Sequence, residues 1–313
     1  MIGRRFVESE PYLRERAAGR LASGEFDLDW VPVADNPELR SALRLRTYSD
    51  LSPFDIDGTP KVGELPAAAH LPSAVETIPV DQIQVELAQE TSENALATAV
   101  NDGTAYSEVA VNFGSTPTLQ KLPRFGTRVP ITLGQLDEPG VVSSIIDRRI
   151  TLGVGLGLEN DMINGNGFWS GAVALAGETV AKGGTYRADA ICNGIAAVQA
   201  AGWYVNPLQV VVHPTTRANI YTERDTAGRP LGVSDMLDDQ VDNWIISKEI
   251  PVGEALVGDF FEGIGLFTHG ELEIAVSKNH ADFFARGMVA LTIGFRCFSW
   301  VRQPTALCLV TGL

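Results

Sequence analysis

The segment from Asp147 to Gly167, DRRITLGVGLGLENDMINGNG, constrains this chain more than any other. It follows Pro139-Gly140, contains no breaker stronger than glycine, and stops at Asn164-Gly165-Asn166-Gly167. Val142, Ile145, Ile146, Ile150, Leu152, Leu156 and Ile163 fall mostly at three- or four-residue intervals, as one face of a helix requires. Against that, Gly153, Gly155 and Gly157 each cost about 1 kcal/mol relative to alanine inside a helix. Val154, Leu156 and Leu158 also alternate as a strand would. The spacing predicts a long helix, with a strand as the competing local reading.

A chain of 313 residues, 45% hydrophobic and 20% charged, can bury a substantial core and is expected to divide into two or more lobes. Apolar runs such as Leu208–Val212 fall far short of the roughly 20 residues that cross a bilayer. Met1–Arg5 lacks the apolar stretch of a secretory signal, so no membrane partner is expected. Cys192, Cys297 and Cys308 are odd in number and widely spaced, which argues against a disulfide framework and for a reducing compartment. The formal charge of -15 forfeits the counterion release that drives nucleic-acid binding, so the chain as a whole is not a DNA-binding protein. An acidic wall could still enclose DNA without adhering to it; solubility alone accounts for the acidity equally well. The first twenty residues run the other way, with Arg4, Arg5, Arg14, Arg16 and Arg20 against Glu8, Glu10 and Glu15.

Residues 1–79 read as an arm. Pro11, Pro32, Pro37, Pro53, Pro60, Pro66, Pro72 and Pro79 leave room only for short helices, around Tyr12–Arg20 and Glu38–Arg46. Phe26, Leu28, Trp30 and Val31 are too apolar for a solvated linker, so the arm is expected to dock on other subunits. Gln82–Leu87 alternates as a half-buried strand, Asn101-Asp102-Gly103 supplies turn chemistry, and Phe125–Ile131 returns as an extended segment. Two strands are too few to be stable alone, so this excursion must lie against something else.

From Thr185 the pattern becomes α/β. Arg187–Ala201 reads as a helix with Ile191, Ile195 and Val198 on one face, and Leu208–Val212 as a buried strand. Pro214 opens a short helix through Tyr221, and a polar loop follows with Asp225, Gly228, Arg229 and Pro230. Ala255–Phe260, Glu271–Ser277 (Leu272, Ile274 and Val276 on one side) and Met288–Val301 read as strands, giving an α+β chain.

Catalytic constellations fail on spacing. A GxGxxG loop built on Gly153, Gly155 and Gly157 would need glycine where Leu158 or Asn160 stands. Lys182 lies between Ala181 and Gly183 and so makes no phosphate-binding loop. Ser170 in Gly167-Phe168-Trp169-Ser170-Gly171 is one residue out of register for a nucleophile elbow. His70, His213, His269 and His280 have neither HExxH nor paired-cysteine surroundings. Phe283, Phe284, Phe295, Phe298 and Trp300 sit at strand spacing and read as core and subunit-contact residues. No catalytic, cofactor-binding or metal-binding residue is assigned.

The order of helix, strand, His213-Pro214-Thr215-Thr216, helix and Asp225–Gly232 (DTAGRPLG) is similar to the axial domain of tailed-phage major capsid proteins of the Hong Kong 97 type. The Asn164–Gly167 turn and the terminal Arg302-Gln303-Pro304-Thr305-Ala306 segment also resemble that family, so the likeness covers about residues 80–306. It favours helix for the ambiguous glycine segment, which becomes the family's spine helix. It implies an N-terminal arm (1–79), an extended loop with flanking strands (80–132), a peripheral domain with the spine helix (133–184), an axial α/β domain (185–269), peripheral strands (270–302) and a C-terminal return to the axial domain (303–313). The implied function is a major capsid protein, not an enzyme, self-assembling into hexamers and pentamers of an icosahedral shell around double-stranded DNA. A scaffold protein and a portal are the implied partners, with a decoration protein as an optional further one, and the virion capsid, assembled in host cytoplasm, is the implied location. Many relatives carry a scaffold segment upstream of the region matching Arg5–Glu10; Met1 directly precedes that region, so a scaffold is expected to be separate or missing from this sequence. An encapsulin-type compartment is the nearest alternative, and an α/β hydrolase or nucleotide enzyme the alternative from another class.

Some family members weld their shells by an isopeptide bond between an extended-loop lysine and an asparagine near the long C-terminal strand, with a glutamate as base. The resemblance places Asn112, Gly287 and Gly294 at those three positions, so the reactants and base are missing and a noncovalent shell is expected. Lys121 is the amine a shifted loop would offer instead.

Overall fold

The computed structural model describes residues 6–18, 20–23, 28–34, 71–87, 118–147, 151–183, 186–201, 208–225, 227–229, 231, 237, 240–278 and 283–313. Its strands are β1 (Leu28–Ala34), β2 (Glu76–Pro79), β3 (Gln84–Leu87), β4 (Thr118–Lys121), β5 (Arg124–Thr132), β6 (Glu178–Ala181), β7 (Gln209–Val212), β8 (Asn243–Ile246), β9 (Glu254–Gly258), β10 (Ile264–Ser277), β11 (Met288–Val301) and β12 (Leu307–Thr311). The longer helices are α1 (Glu10–Ala17), α2 (Leu133–Asp137), α3 (Pro139–Ile145), α4 (Thr151–Asn164), α5 (Arg187–Ala200) and α6 (Pro214–Tyr221).

The first sheet has the order β1-β10-β11-β5, and β2 also pairs with β10. β10 and β11 run antiparallel from Ile264 opposite Val301 to Ser277 opposite Ala290, with an irregularity between His269 and Glu273. The first half of β10 is bordered by parallel β2 and the second half by antiparallel β1. One face is apolar: Leu272, Ile274, Leu291, Ile293, Phe295, Cys297 and Ile131 are buried in the main core, with Phe125 and Val129 packed against it.

The glycine segment folds as a helix. Helix α3 starts on Pro139, residues 146–147 form a π turn, and α4 is helical from Thr151 to Asn164. Its buried stripe is Val154, Leu158, Met162 and Ile163, whereas Leu152 and Leu156 are half-buried, so the packed face is rotated from the spacing-based one. Val154 and Leu158, which also fitted the competing strand reading, form the i, i+4 row of this helix. Gly157 fits that contact, since a Cβ there would lie 3.4 Å from Phe125 Cζ. The helix stops because Gly165 turns left-handed at φ +82 and returns its N–H to the Asp161 carbonyl.

The second sheet has the order β6-β12-β9-β7-β8. Ile191, Ile195 and Val198 of α5 are buried in one cluster with Val210, Val212, Val257 and Val310. Gly194 permits close packing there, for a Cβ would come 2.6 Å from Val310 Cγ2. Helix α6 begins on Pro214, with His213 Nδ1 accepting from the Thr215 N–H at 3.1 Å.

Several expectations are corrected. Phe6, Tyr12 and Leu21 are fully buried, and Leu28–Ala34 adds an edge strand to the first sheet, so this part of the arm docks on its own subunit. Strand β10 starts at Ile264 rather than Glu271, so the expected division at 269/270 cuts a single strand. Strand β6 pairs with β12, which puts residues 178–181 in the second sheet rather than with the spine helix. Strand β5 pairs along its length with β11, leaving only β3 and β4 as a separate ribbon. Glu38–Arg46, Asn101–Gly103 and Asn112 lie outside the described residues.

Candidate functional site

Two hollows among the described residues carry no catalytic constellation. A hollow of about 390 Å³ is lined by Pro214, Arg217, Ala218, Tyr221 and Ile246. In it the Arg217 guanidinium lies 5.3 Å from the Tyr221 ring centroid and 5.5 Å from that of Trp244, cation–π distances that hold the arginine in place. A second, of about 180 Å³, lies beside the spine turn against Phe125, Asp161, Asn166 and Trp169. Neither is lined by serine, cysteine, histidine or lysine.

The residues tested for chemistry do structural work. His213 caps α6, and a His269 ring nitrogen lies 3.0 Å from the Val80 carbonyl oxygen. Ser170 is exposed and forms a backbone bridge with Gly165. Burial pushes the Cys297 thiol up, with Asp161 adding to the shift, and raises Cys308 to about 11. Cys192 is half-buried and also raised, first by burial and then by Asp189. His70 and His280 lie outside the described residues. Gly287 has φ +61 and accepts from the Leu133 N–H, and Gly294 lies in mid-strand opposite Gly126. Neither offers a side chain.

What the fold presents instead is surface. At the spine turn, Asn166 Oδ1 accepts from the N–H groups of Phe168 and Trp169, and the Trp169 indole donates to the Asp161 carbonyl at 2.9 Å. This leaves Phe168 63% exposed beside the ribbon, where Gln120 Nε2 reaches the Phe168 carbonyl at 3.5 Å. On the ribbon, Leu119 is 65% exposed. Large apolar groups held out on ordered backbone are the usual anchors of protein–protein contact.

The polar face of the first sheet was not singled out in the sequence. Cross-strand register puts Arg124 and Arg128 of β5 on one face with Arg296, Gly294 and Thr292 of β11 and with His269 and Glu273 of β10. Arg124 Nη2 pairs with Glu273 Oε2 at 2.9 Å, reaching across β11, and Arg296 Nη1 donates to the Leu122 carbonyl at 3.3 Å. The signal available was the alternation of Arg124, Gly126 and Arg128 with Phe125, Thr127 and Val129.

Comparison with known proteins agrees with a shell rather than an enzyme. The phage capsid family profile matches residues 73–312, over three quarters of the chain. No curated protein sequence matches. Among solved structures, one from Mycobacterium phage Bobi has TM-score 0.60 at 15% identity, covering 89% of this chain and 98% of that one. The capsid of an empty GTA particle has TM-score 0.60 at 16% identity, with 80% and 91% covered. A virus-like particle from Pyrococcus furiosus has TM-score 0.52 at 12% identity, with 88% and 98% covered. At these identities the likeness establishes a mixed α+β, Hong Kong 97-like fold. With most of its length matched, the chain belongs to the phage capsid family: it is a Hong Kong 97-type major capsid protein, a structural, non-enzymatic component of a viral shell.

Proposed function

We propose that the chain assembles into hexamers and pentamers that close an icosahedral shell around double-stranded DNA, held by noncovalent contacts alone. The first sheet with α4 serves as the peripheral domain and the second sheet with α5 and α6 as the axial domain. Identical chains make heterologous contacts that close into rings, and the rings tile a closed surface. The observation that carries this reading is the ribbon: β3 and β4 pair over four residues each, expose Leu119, and lead into a 30-residue segment, 88–117. So short a ribbon cannot stabilise such an excursion by itself. A scaffold and a portal are its partners, a decoration protein is an optional further one, and assembly takes place in host cytoplasm.

The likeness to the Pyrococcus furiosus particle supports a second reading, an encapsulin-type compartment. Electron microscopy of purified particles, with nuclease protection of their contents, separates the two. Protected double-stranded DNA supports the capsid; small shells holding only protein support the compartment. A chain that stays monomeric across assembly conditions removes both.

A further inference from the structure

We infer that Asn166 is a site of spontaneous deamidation, and that its conversion to aspartate loosens the spine turn. The chain has three Asn-Gly pairs, Asn164-Gly165, Asn166-Gly167 and Asn193-Gly194, and the fold leaves one of them able to react.

The reaction needs a free backbone nitrogen after the asparagine and an electrophilic side-chain carbonyl. That nitrogen gives its proton to hydroxide and bonds to the asparagine Cγ; the Cγ–Nδ2 bond breaks, and Nδ2 leaves as ammonia with a proton from water. Water then opens the resulting succinimide to aspartate or isoaspartate. One water is consumed and one ammonia released, so no other reactant is required.

Two of the pairs are held out of this chemistry. Asn193 and Gly194 lie in the middle of α5, where the helix engages the backbone N–H of Gly194 in its own hydrogen bonds. Asn164 ends α4, the Gly165 N–H donates to the Asp161 carbonyl at 2.9 Å, and Asn164 Nδ2 is held by Asn160 Oδ1 and the Glu249 carbonyl. Asn166 is different. Gly167 is exposed, its N–H has no partner among the described residues, and a Cβ there would meet nothing within 4 Å. Asn166 Oδ1 accepts from the N–H groups of Phe168 and Trp169 at 2.8 and 3.1 Å, so the oxyanion formed by attack finds two donors already in place.

The product disturbs its own surroundings. Asn166 Nδ2 donates to Asp161 Oδ2 at 2.7 Å, and an aspartate at 166 would set two carboxylates against each other with no donor between them. The Asp161 carbonyl also receives the Trp169 indole, and Trp169 packs edge-on against Phe298 at 5.5 Å. Repulsion at Asp161 therefore reaches both the core and the exposed Phe168.

Peptide mass mapping of the full-length protein, kept folded in warm, mildly alkaline buffer, tests the site. Asn166 should deamidate roughly tenfold faster than Asn164 or Asn193, the factor that one hydrogen bond broken before attack represents. In urea all three should react at similar rates. Gly167→Ala, which nothing crowds, should slow the folded reaction at Asn166 by obstructing the attacking nitrogen. Asn166→Asp should lower the thermal midpoint of the unassembled subunit. A rate at Asn166 no faster than at the other two, the same preference in urea, or an undiminished rate in Gly167→Ala overturns the site. An unchanged midpoint for Asn166→Asp overturns the loosening.

Discussion

The hydroxyl of Tyr12 donates a 2.7 Å hydrogen bond to the backbone carbonyl of Leu136, joining helix α1 of the arm to helix α2 of the body across 124 residues of sequence. Phe6 packs on the Tyr12 ring at 5.3 Å, and all three side chains are fully buried. The arm therefore begins as part of its own subunit. Tyr12→Phe keeps the ring and leaves the Leu136 carbonyl without its donor, so the subunit should lose about 1–2 kcal/mol, read as a lower midpoint in urea.

The same contact makes the arm sensitive to alkali. Burial raises the Tyr12 phenol from 10.0 to about 12, opposed by Arg16 and assisted by Asp137. Folding holds a proton that the unfolded chain releases near pH 10, so this contribution to stability is whole below pH 10 and is lost as pH rises through 12. Denaturation midpoints measured between pH 9 and 12 should fall more steeply for wild type than for Tyr12→Phe. Parallel curves would remove Tyr12 from the alkaline transition.

The Gly126–Gly294 pair sets a packing limit. A Cβ on Gly126 would fall 2.2 Å from the Ile293 carbonyl oxygen and 2.8 Å from Gly294 Cα, both backbone atoms that cannot turn aside. Gly126→Ala should therefore force β5 away from β11 and cost about 1–3 kcal/mol, seen as a lower thermal midpoint of the unassembled subunit. An unchanged midpoint would mean that the strand edge yields freely.

Much of this architecture is legible in the sequence, and the losses have physical causes. Met288–Val301 and Pro214–Tyr221 were readable to the residue, because alternation is sustained in the first and proline marks the start of the second. Ile264–Thr268 was not, since those residues are buried on both faces and show no alternation. Leu28–Ala34 registered only as apolar, and whether such a segment pairs with its own sheet or a neighbour's depends on distant β10. The arginine face was invisible for a related reason: nothing near Arg124 and Arg128 in sequence points to Arg296, which the register brings beside them from 172 residues away.

The extended loop can now be removed at a boundary the fold tolerates. A deletion of 84–128 would take the β5 residues Arg124–Arg128 out of their pairing with β11 and damage the first sheet. Replacing 84–121 by a short glycine–serine linker spares β5 and takes out the β3–β4 ribbon entire. That chain should keep a folded body by circular dichroism and fail to close shells by electron microscopy. Normal shells would show that the loop is dispensable for closure.

The thiols report on the core without disturbing it. Cys297 and Cys308 are buried with raised ionisation, so little nucleophilic thiolate exists at neutral pH and reagent cannot reach it. Iodoacetamide at pH 7.5 should label half-buried Cys192 first, and the other two only after unfolding, as read by mass spectrometry of peptides.

The shell should come apart in detergent. An isopeptide bond needs an amine, a carboxamide and a base to take the proton. Two of the three positions implied by family resemblance bear no side chain: Gly287 lies in the turn just before β11, and Gly294 lies within β11 between Gly126 of β5 and Glu273 of β10. The third, Asn112, carries no amine nucleophile. Lys121 is an exposed amine on the ribbon, but its strand is paired with β3, opposite Gln84, and the Gly287 and Gly294 positions offer it neither carboxamide nor carboxylate. On the noncovalent reading, contacts between subunits carry the load that a weld carries elsewhere. Boiling mature particles in SDS with reducing agent should give one band near 33.6 kDa, and a ladder of ring-sized multimers would show that other residues form the bond.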